Sequence, residues 1–225
     1  MIAIIPAKKN STRLPDKNMK KFCGKPLIAH TIIAALKSKY IKKVLVSSDS
    51  INTLNIAKKY GAEIHFRPDF LTTNKVSSYD VCNYIINKEK KFNTKIFKSF
   101  IILQPTSPLR DYIEIDNAIR LFYKKKADLV VSVTECEPKE WQIKIDKYSK
   151  IKKEKNKIKN SQFYDKNFRM NGAIYIYKIL NSKKNLKQNL LKYAYKMPKF
   201  KSIDIDDKFD FENAKLIFKN KNHFT

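Results

Sequence analysis

The sequence predicts an α/β protein with a mostly parallel sheet and helices on both faces. Short apolar runs rich in β-branched residues, such as MIAII, KKVLVSSD and FKSFIILQP, alternate with segments whose apolar residues recur at helical spacing. The strand-like runs are nearly continuously apolar, which is typical of parallel strands buried on both faces. With 225 residues and 43% hydrophobic content, the chain can form one good core. We therefore interpret residues 1–225 as a single domain.

The predicted elements alternate regularly as far as about residue 136. After the first strand MIAII come the helix KPLIAHTIIAALKS, the strand KKVLVSSD, the helix INTLNIAKKYGA and the strand EIHFR. A polar helix from Ser77, the strand FKSFIILQP, the helix YIEIDNAIRLFYKKK and the strand ADLVVSVTE follow. A lysine-rich excursion at about 136–195 then breaks the rhythm, with NGAIYIY as a strand inside it. The segment DKFDFENAKLIFKN predicts a closing amphipathic helix.

Composition excludes several classes of protein. No run approaches the ~20 apolar residues of a membrane span, and the opening residues lack the features of a secretory leader. The three cysteines are widely spaced without a CxxC pair, which argues against a disulfide framework or a zinc site. We therefore expect a cytoplasmic protein that does not bind a membrane.

The charge of the chain is strongly positive, with 48 Lys and Arg against 21 Asp and Glu and a net charge of +27. Such an excess ordinarily favours nucleic-acid binding. Here the lysines are spread over all elements, and no nucleic-acid motif with interleaved aromatic residues occurs. The sequence therefore predicts no specific nucleic-acid partner, although nucleic-acid binding is kept as a remote alternative.

The segment PAKKNSTRLPDKN follows the first predicted strand and carries Lys8, Lys9, Arg13 and Lys17. Open α/β sheets bind their ligands at the carboxyl ends of the strands, so this basic loop is placed to receive a phosphate. The alternative is the lysine bias of the whole chain, which would make any loop look basic.

Two further motifs stand at predicted strand ends. In LQPTSPLR, two prolines fix a turn and are expected to leave Gln104 and the two hydroxyl groups over the sheet edge. In SIDIDD, Asp204 and Asp206 alternate with isoleucines, so both carboxylates leave the same face of an extended segment. Paired carboxylates suit Mg²⁺ together with substrate phosphates; a salt-bridged acidic surface is the alternative.

Together these segments resemble the acylneuraminate cytidylyltransferase family, the CMP-sialic acid synthetases. The likeness runs in order through IAIIPAKKNSTRLPDKN, KPLIAHTI, VLVSSDS, AKKYGAEIHFRP, LQPTSPLR, NGAIYI and SIDID. It implies a Rossmann-like nucleotide-diphospho-sugar transferase fold with an inserted dimerisation segment, and therefore a homodimer. It also implies transfer of CMP from CTP to the anomeric hydroxyl of a nine-carbon 2-keto sugar acid, with release of pyrophosphate. Kdo or another small acceptor is the alternative.

The resemblance also implies roles for individual residues. CTP would be bound by Lys8, Ser11, Arg13, Lys17, Asn18, Arg67 and Ser78. The sugar acid would contact Gln104, Asn171 and Tyr175, and Asp204 and Asp206 would hold Mg²⁺ or Mn²⁺. Lys17 and Asp206 are the predicted catalytic residues. Structural alternatives are a strand-end role for Arg67, a helix start at Ser78 and a strand aromatic at Tyr175.

The sequence departs from the family pattern at two places. Lys8 stands where the family has arginine after PA, which keeps the charge but loses the planar fork. The arginine that the family uses for the substrate carboxylate is absent near Ser161 or Gln162. We expect Arg169 to replace it, with Lys166 or a lysine of the excursion as alternatives. The structural alternative for Arg169 is a pair with a nearby acid such as Asp165, which would only stabilise the loop. The acceptor could then be sialic, legionaminic or a related nonulosonic acid.

Overall fold

The computed structural model describes residues 1–9, 13–92, 97–152, 160–179 and 190–220. The strands in these ranges are β1 (Ile2–Pro6), β2 (Lys21–Phe22), β3 (Lys25–Pro26), β4 (Lys43–Ser48), β5 (Glu63–Phe66), β6 (Ser99–Leu103), β7 (Leu129–Cys136), β8 (Asn167–Lys178) and β9 (Lys192–Lys196). The helices are α1 (Leu27–Leu36), α2 (Ile51–Lys59), α3 (Ser78–Phe92), α4 (Tyr112–Lys124) and α5 (Lys208–Lys219). The predicted alternation of strands and helices up to residue 136 is confirmed.

Seven strands form one mixed sheet in the order β5-β4-β1-β6-β8-β7-β9, and β2 pairs with β3 in a small hairpin. β5, β4, β1 and β6 run parallel to one another, and β9 runs parallel to β7. β8 lies between β6 and β7 and is antiparallel to both. Because Leu103 at the end of β6 faces Ile174 of β8, the first half of β8 extends past the carboxyl edge of the parallel strands.

Helices cover both faces of the sheet, as the sequence predicts. Ala3 and Ile5 of β1 are buried in one cluster with residues of α1, α2 and α4. Ile2 and Ile4 are buried in a second cluster, with residues of α3 on the opposite face. This alternation follows from the period of two in an extended strand. A third cluster packs α5 against the hairpin and the segment around Ile205, and so fixes the SIDIDD motif to the body of the protein.

Side-chain caps define where two helices near the sheet edge begin. Asp111 accepts hydrogen bonds from the backbone N–H groups of Ile113 and Glu114, which starts α4. Asp207 and Asp210 form a reciprocal capping box at the start of α5. Asp210 also accepts a 2.9 Å hydrogen bond from the Asp206 N–H, so the cap reaches the second carboxylate of the motif.

Some elements of the fold are not evident in the sequence. β9 and the β2–β3 hairpin were not predicted, and β8 begins four residues before NGAIYIY. β9 has the sequence KYAYK and alternates exposed with half-buried residues at the edge of the sheet, so it lacks the apolar run that reveals a buried strand. Among the described residues, no helix combines the length and the apolar character that spanning a bilayer demands.

Candidate active site

Four segments meet at the carboxyl edge of the parallel strands. The basic loop leaves β1, LQPTSPLR leaves β6, and the antiparallel β8 brings NGA to the same edge. The SIDIDD segment joins them, since the Ile205 N–H donates a 2.8 Å hydrogen bond to the Thr106 carbonyl. Ile205 itself is fully buried. The three motifs that the sequence analysis singled out therefore lie side by side.

Asp204 is a largely buried carboxylate, and one of its oxygens lacks a hydrogen-bond partner among the described residues. This oxygen, Oδ1, is itself buried. Burial raises the pKa of Asp204, and the negative charges of Asp206 and Asp210 act in the same direction, while a Thr106 hydrogen bond and Lys17 oppose them. A buried acceptor without a donor is costly, so this oxygen is suited to a cation.

Asp206 is compensated by two cations. Arg13 Nη2 lies 2.9 Å from Asp206 Oδ2, and Lys17 Nζ lies 3.5 Å from Asp206 Oδ1. Lys17 Nζ also donates a 2.5 Å hydrogen bond to the Ile205 carbonyl. The predicted catalytic residues Lys17 and Asp206 are therefore adjacent, although their roles in catalysis stay predictions.

The donor set fits a magnesium ion. Mg²⁺ is usually held by one or two carboxylates together with waters and substrate phosphates, and Asp204 and Asp206 provide such a pair. Within the described ranges, no group of three or more His, Cys, Asp or Glu side chains forms a metal site. The pair would therefore need the phosphates of a substrate to complete the coordination.

The basic loop contacts the turns that follow the neighbouring strands. Lys8 Nζ donates to Asn74 Oδ1 at 2.8 Å, and the Lys9 N–H donates to Asp49 Oδ1 at 2.7 Å. The Asn18 amide donates to the Lys8 carbonyl at 3.2 Å, while its buried Oδ1 lacks a partner among the described residues. The predicted CTP ligand Ser11 lies outside the described residues.

Arg67 is buried at the end of β5. Its Nη2 donates to the Ser47 carbonyl at 3.0 Å, and its Nε lies 3.5 Å from Ser47 Oγ. Burial lowers the pKa of Arg67, and the charge of Asp49 opposes this shift. These contacts fit the structural alternative, in which Arg67 stabilises the end of a strand. Recognition of the cytosine base by Arg67 stays a prediction.

Gln104 and Ser78 are brought together across the edge. The Gln104 side-chain amide donates a 3.0 Å hydrogen bond to Ser78 Oγ. Ser78 is a predicted CTP ligand and Gln104 a predicted sugar-acid ligand, so this contact places the two predicted ligand sets side by side. The Ser107 hydroxyl of the same loop differs from expectation, because Ser107 is buried rather than held over the sheet edge. Its backbone closes two successive turns: its N–H donates to the Gln104 carbonyl, and its carbonyl accepts from the Arg110 N–H.

β8 carries the other predicted sugar-acid residues. Tyr175 is half-buried, and burial together with the charge of Asp204 raises the pKa of its hydroxyl. Asn171 is buried, and its amide bonds to other protein groups. Arg169 is exposed opposite Thr134 of β7.

The candidates for the missing carboxylate clamp differ in their partners. Lys166 is paired with Glu135 at 3.1 Å. In the part of the chain that the structure describes, neither Asp165 nor another acid forms an ion pair with Arg169. Arg169 is thus the better placed of the two to accept a carboxylate from a ligand.

Arg110 is a buried cation whose position the sequence analysis did not interpret. It donates to the carbonyls of Gln104 at 3.2 Å and Ala173 at 2.9 Å, and to Thr31 Oγ1 at 2.7 Å. Burial lowers its pKa to about 9, which still leaves it charged at neutral pH. The sequence signal that could have indicated this role is the residue type: Arg110 is one of few arginines in a lysine-rich chain, and it ends the LQPTSPLR motif.

Comparison with known proteins identifies the family of the chain. A cytidylyltransferase family model matches residues 2–223. The chain is 37% identical, over 99% of its length and 53% of the relative's, to the N-acylneuraminate cytidylyltransferase of Escherichia coli O18:K1:H7 (strain RS218 / NMEC). It is 36% identical, over 78% of its length and 77% of the relative's, to the CMP-N,N'-diacetyllegionaminic acid synthase of Legionella pneumophila subsp. pneumophila (strain Philadelphia 1 / ATCC 33152 / DSM 7513).

A solved structure of CMP:2-keto-3-deoxy-manno-octonic acid synthetase complexed with CTP superposes with a TM-score of 0.70 at 16% identity. The superposition covers 98% of both chains and confirms the predicted fold. The chain spans about half the length of the N-acylneuraminate relative, 53%. From the family match over residues 2–223 and these identities, the chain belongs to the cytidylyltransferase family.

Proposed function

We propose that this protein transfers CMP from CTP to the anomeric hydroxyl of a nonulosonic acid and releases pyrophosphate. The observation that carries the proposal is the pairing of Asp206 with Arg13 and Lys17 at the edge of the sheet, beside the unpartnered buried oxygen of Asp204. Carboxylates for a cation and cations for a triphosphate are both needed when the sugar oxygen attacks the α-phosphorus. The relatives named for sialic and legionaminic acid support the choice of acceptor class.

Lys17 would stabilise the charge that grows on the leaving pyrophosphate. Its ammonium group is held by the Ile205 carbonyl and Asp206 before substrate binds, and phosphoryl transfer depends mainly on such preorganised electrostatics. Arg13 would move from Asp206 to the triphosphate, with Lys8, Ser11 and Asn18 as further contacts. Asp204 and Asp206 would hold Mg²⁺ or Mn²⁺, which when bound neutralises phosphate charge.

The two substrates would meet at Gln104 and Ser78. Arg67 and Ser78 would recognise cytosine, and Gln104, Tyr175 and Arg169 would contact the sugar acid. The 3.0 Å hydrogen bond between Gln104 and Ser78 supports adjacent pockets. An exposed Arg169 can form a charge-assisted bond with the substrate carboxylate, in place of the clamp that the sequence lacks.

We further propose that the protein acts as a homodimer in the cytoplasm. Large apolar side chains of the excursion are exposed, among them Ile145, Phe163 and Met170, and aromatic residues and Met are enriched at protein interfaces. Three free thiols, at Cys23, Cys82 and Cys136, are compatible with a reducing compartment.

The test is pyrophosphate release from CTP with a panel of N-acetylneuraminate, N,N'-diacetyllegionaminate and Kdo. We expect release only when CTP and a nonulosonic acid are both present, and a much lower rate with Kdo. Asp206→Asn serves as the control for a contaminating enzyme and should abolish most of the release. Release of pyrophosphate in the absence of any sugar acid, or no release with any acid of the panel, would contradict the proposal. A higher rate with Kdo than with the nonulosonic acids would show that the acceptor is Kdo-like.

A further inference from the structure

The Asn171 side chain is completely occupied inside the protein. Its Oδ1 accepts hydrogen bonds from Ser132 Oγ at 2.6 Å and from the Ala173 N–H at 3.2 Å. Its Nδ2 donates to Ser202 Oγ at 2.9 Å and contacts Met197 Sδ at 3.4 Å. An amide has two donors and two acceptor positions, so none is left for a ligand.

Two of these contacts hold the turn that leads into the SIDIDD motif. Met197 and Ser202 flank this turn and are both buried, and Ser202 Oγ donates in addition to the Pro198 carbonyl at 2.8 Å. Ser202 stands two residues before Asp204. Only Ile203 stands between them, so a displacement of Ser202 would be passed through one residue to Asp204.

Gly172, the residue after Asn171, lies against the Asp204 carboxylate. Gly172 has φ +77°, and a Cβ at this position would lie 3.1 Å from Asp204 Oδ2. The carboxylate thus rests against the β8 backbone, in space that only glycine leaves open. Asn171 and Gly172 act on one target: the first holds the segment that carries Asp204, and the second receives its side chain.

We propose that Asn171 is a positioning residue that acts through Ser202 to fix Asp204, and so sets the affinity for the divalent cation. The inference rests on the proposed function, because it takes Asp204 as a ligand of that cation. It differs from the direct contact with the sugar acid that the sequence predicts for Asn171. A direct contact would break at least one of the buried hydrogen bonds and leave its partner unsatisfied.

The experiment measures Mn²⁺ binding by electron paramagnetic resonance, with CTP present and no sugar acid, so that no turnover occurs. The variants are Asn171→Ala, Ser202→Ala and the double variant. Residues that orient metal ligands typically change metal affinity by 10- to 100-fold, so we expect about tenfold weaker Mn²⁺ binding in each single variant. Because both residues act on Asp204 through the same contact, their effects should not add. The double variant should bind Mn²⁺ about as tightly as the single variant with the lower affinity.

A matched control removes a buried hydroxyl elsewhere. Ser99 is buried at the start of β6, at the opposite edge of the sheet, and Ser99→Ala should leave Mn²⁺ affinity unchanged. Steady-state kinetics at saturating Mn²⁺ should show a KM for the sugar acid within about twofold of wild type for Ser202→Ala. If Asn171→Ala does not fold, Ser202→Ala alone decides.

Three results would overturn the inference: unchanged Mn²⁺ affinity in Ser202→Ala, additive losses in the double variant, or a tenfold higher KM for the sugar acid in Asn171→Ala with normal Mn²⁺ binding. The absence of Mn²⁺ binding by the wild-type CTP complex would overturn it as well. Failure of the proposed function is seen separately, as absent pyrophosphate release by the wild-type protein with every acid of the panel.

Discussion

Asp206 lies between two cations that differ in how firmly they are held. The Lys17 side chain is 11% exposed and is fixed by a carbonyl as well as by the carboxylate, whereas the Arg13 side chain is 66% exposed. A fixed ammonium group loses little freedom when a phosphate arrives, and it acts in a less polarisable environment than water. Arg13 is free to leave Asp206 because an exposed ion pair contributes little. We therefore expect the two cations to have separate tasks at the triphosphate.

We expect Lys17→Ala to lower kcat by about 10²-fold, which is the usual effect of losing one preorganised donor to a developing charge. The measurement is pyrophosphate release at saturating CTP, sugar acid and Mg²⁺. Lys20→Ala is the control, since Lys20 is an exposed lysine three residues away. A kcat within threefold of wild type would assign Lys17 to a structural role at the Ile205 carbonyl.

We expect Arg169→Ala to raise the KM for the sugar acid about tenfold, as the loss of one charge-assisted hydrogen bond predicts. The KM for CTP should stay nearly constant. Lys166→Ala is the matched control, because Lys166 directly precedes β8 but is already paired with Glu135. Equal weakening of both substrates, or a lower melting temperature with unchanged constants, would show that Arg169 only stabilises β8.

At the scale of elements, Arg110 joins three parts of the fold. Its guanidinium connects Thr31 of α1, the Gln104 carbonyl after β6 and the Ala173 carbonyl of β8. Parallel strands leave their carboxyl-end carbonyls unpaired at the sheet edge, and these groups must find donors when they are buried. The planar fork of arginine supplies several donors in fixed directions. The loop that carries Gln104 is therefore fixed by a buried cation rather than by apolar packing alone.

We expect Arg110→Met to lower the free energy of unfolding by about 3 kcal/mol, because several buried acceptors would lose their donor at ~1 kcal/mol or more each. Urea denaturation followed by circular dichroism measures this change. Arg120→Met is the control, since Arg120 is exposed on α4 and should change stability by less than about 0.5 kcal/mol. A similar small change for Arg110→Met would mean that water replaces the guanidinium.

Across the whole molecule, the sequence predicts what local periodicity and chain order determine. Buried runs such as SFIIL and the helical spacing of the apolar residues in LIAHTIIAAL are visible in the sequence itself. The motifs at strand ends are brought together because parallel strands end at the same edge of the sheet. The position of β8 could not be predicted, because pairing antiparallel between β6 and β7 depends on contacts far apart in the chain. The roles of Arg110 and Asn171 depend on those contacts too, so only the structure reveals what each side chain touches.

The charge of the whole chain leads to a last prediction, on self-association. Two copies that each carry a net charge of +27 repel one another, so an apolar interface formed by the excursion should tighten as salt screens this repulsion.

We expect sedimentation equilibrium to show a dimer whose dissociation constant falls about tenfold or more between 50 and 500 mM salt, by the screening of like charges. Phe163→Asp should weaken the dimer, because Phe163 lies in the excursion and is 65% exposed. Phe70→Asp should not weaken it, since Phe70 is 61% exposed but lies near β5, outside the excursion. Complexes held by nucleic acid behave in the opposite way, since salt weakens them. A dimer that dissociates with rising salt, or that is equally sensitive to both substitutions, would contradict an interface built from the apolar side chains of the excursion.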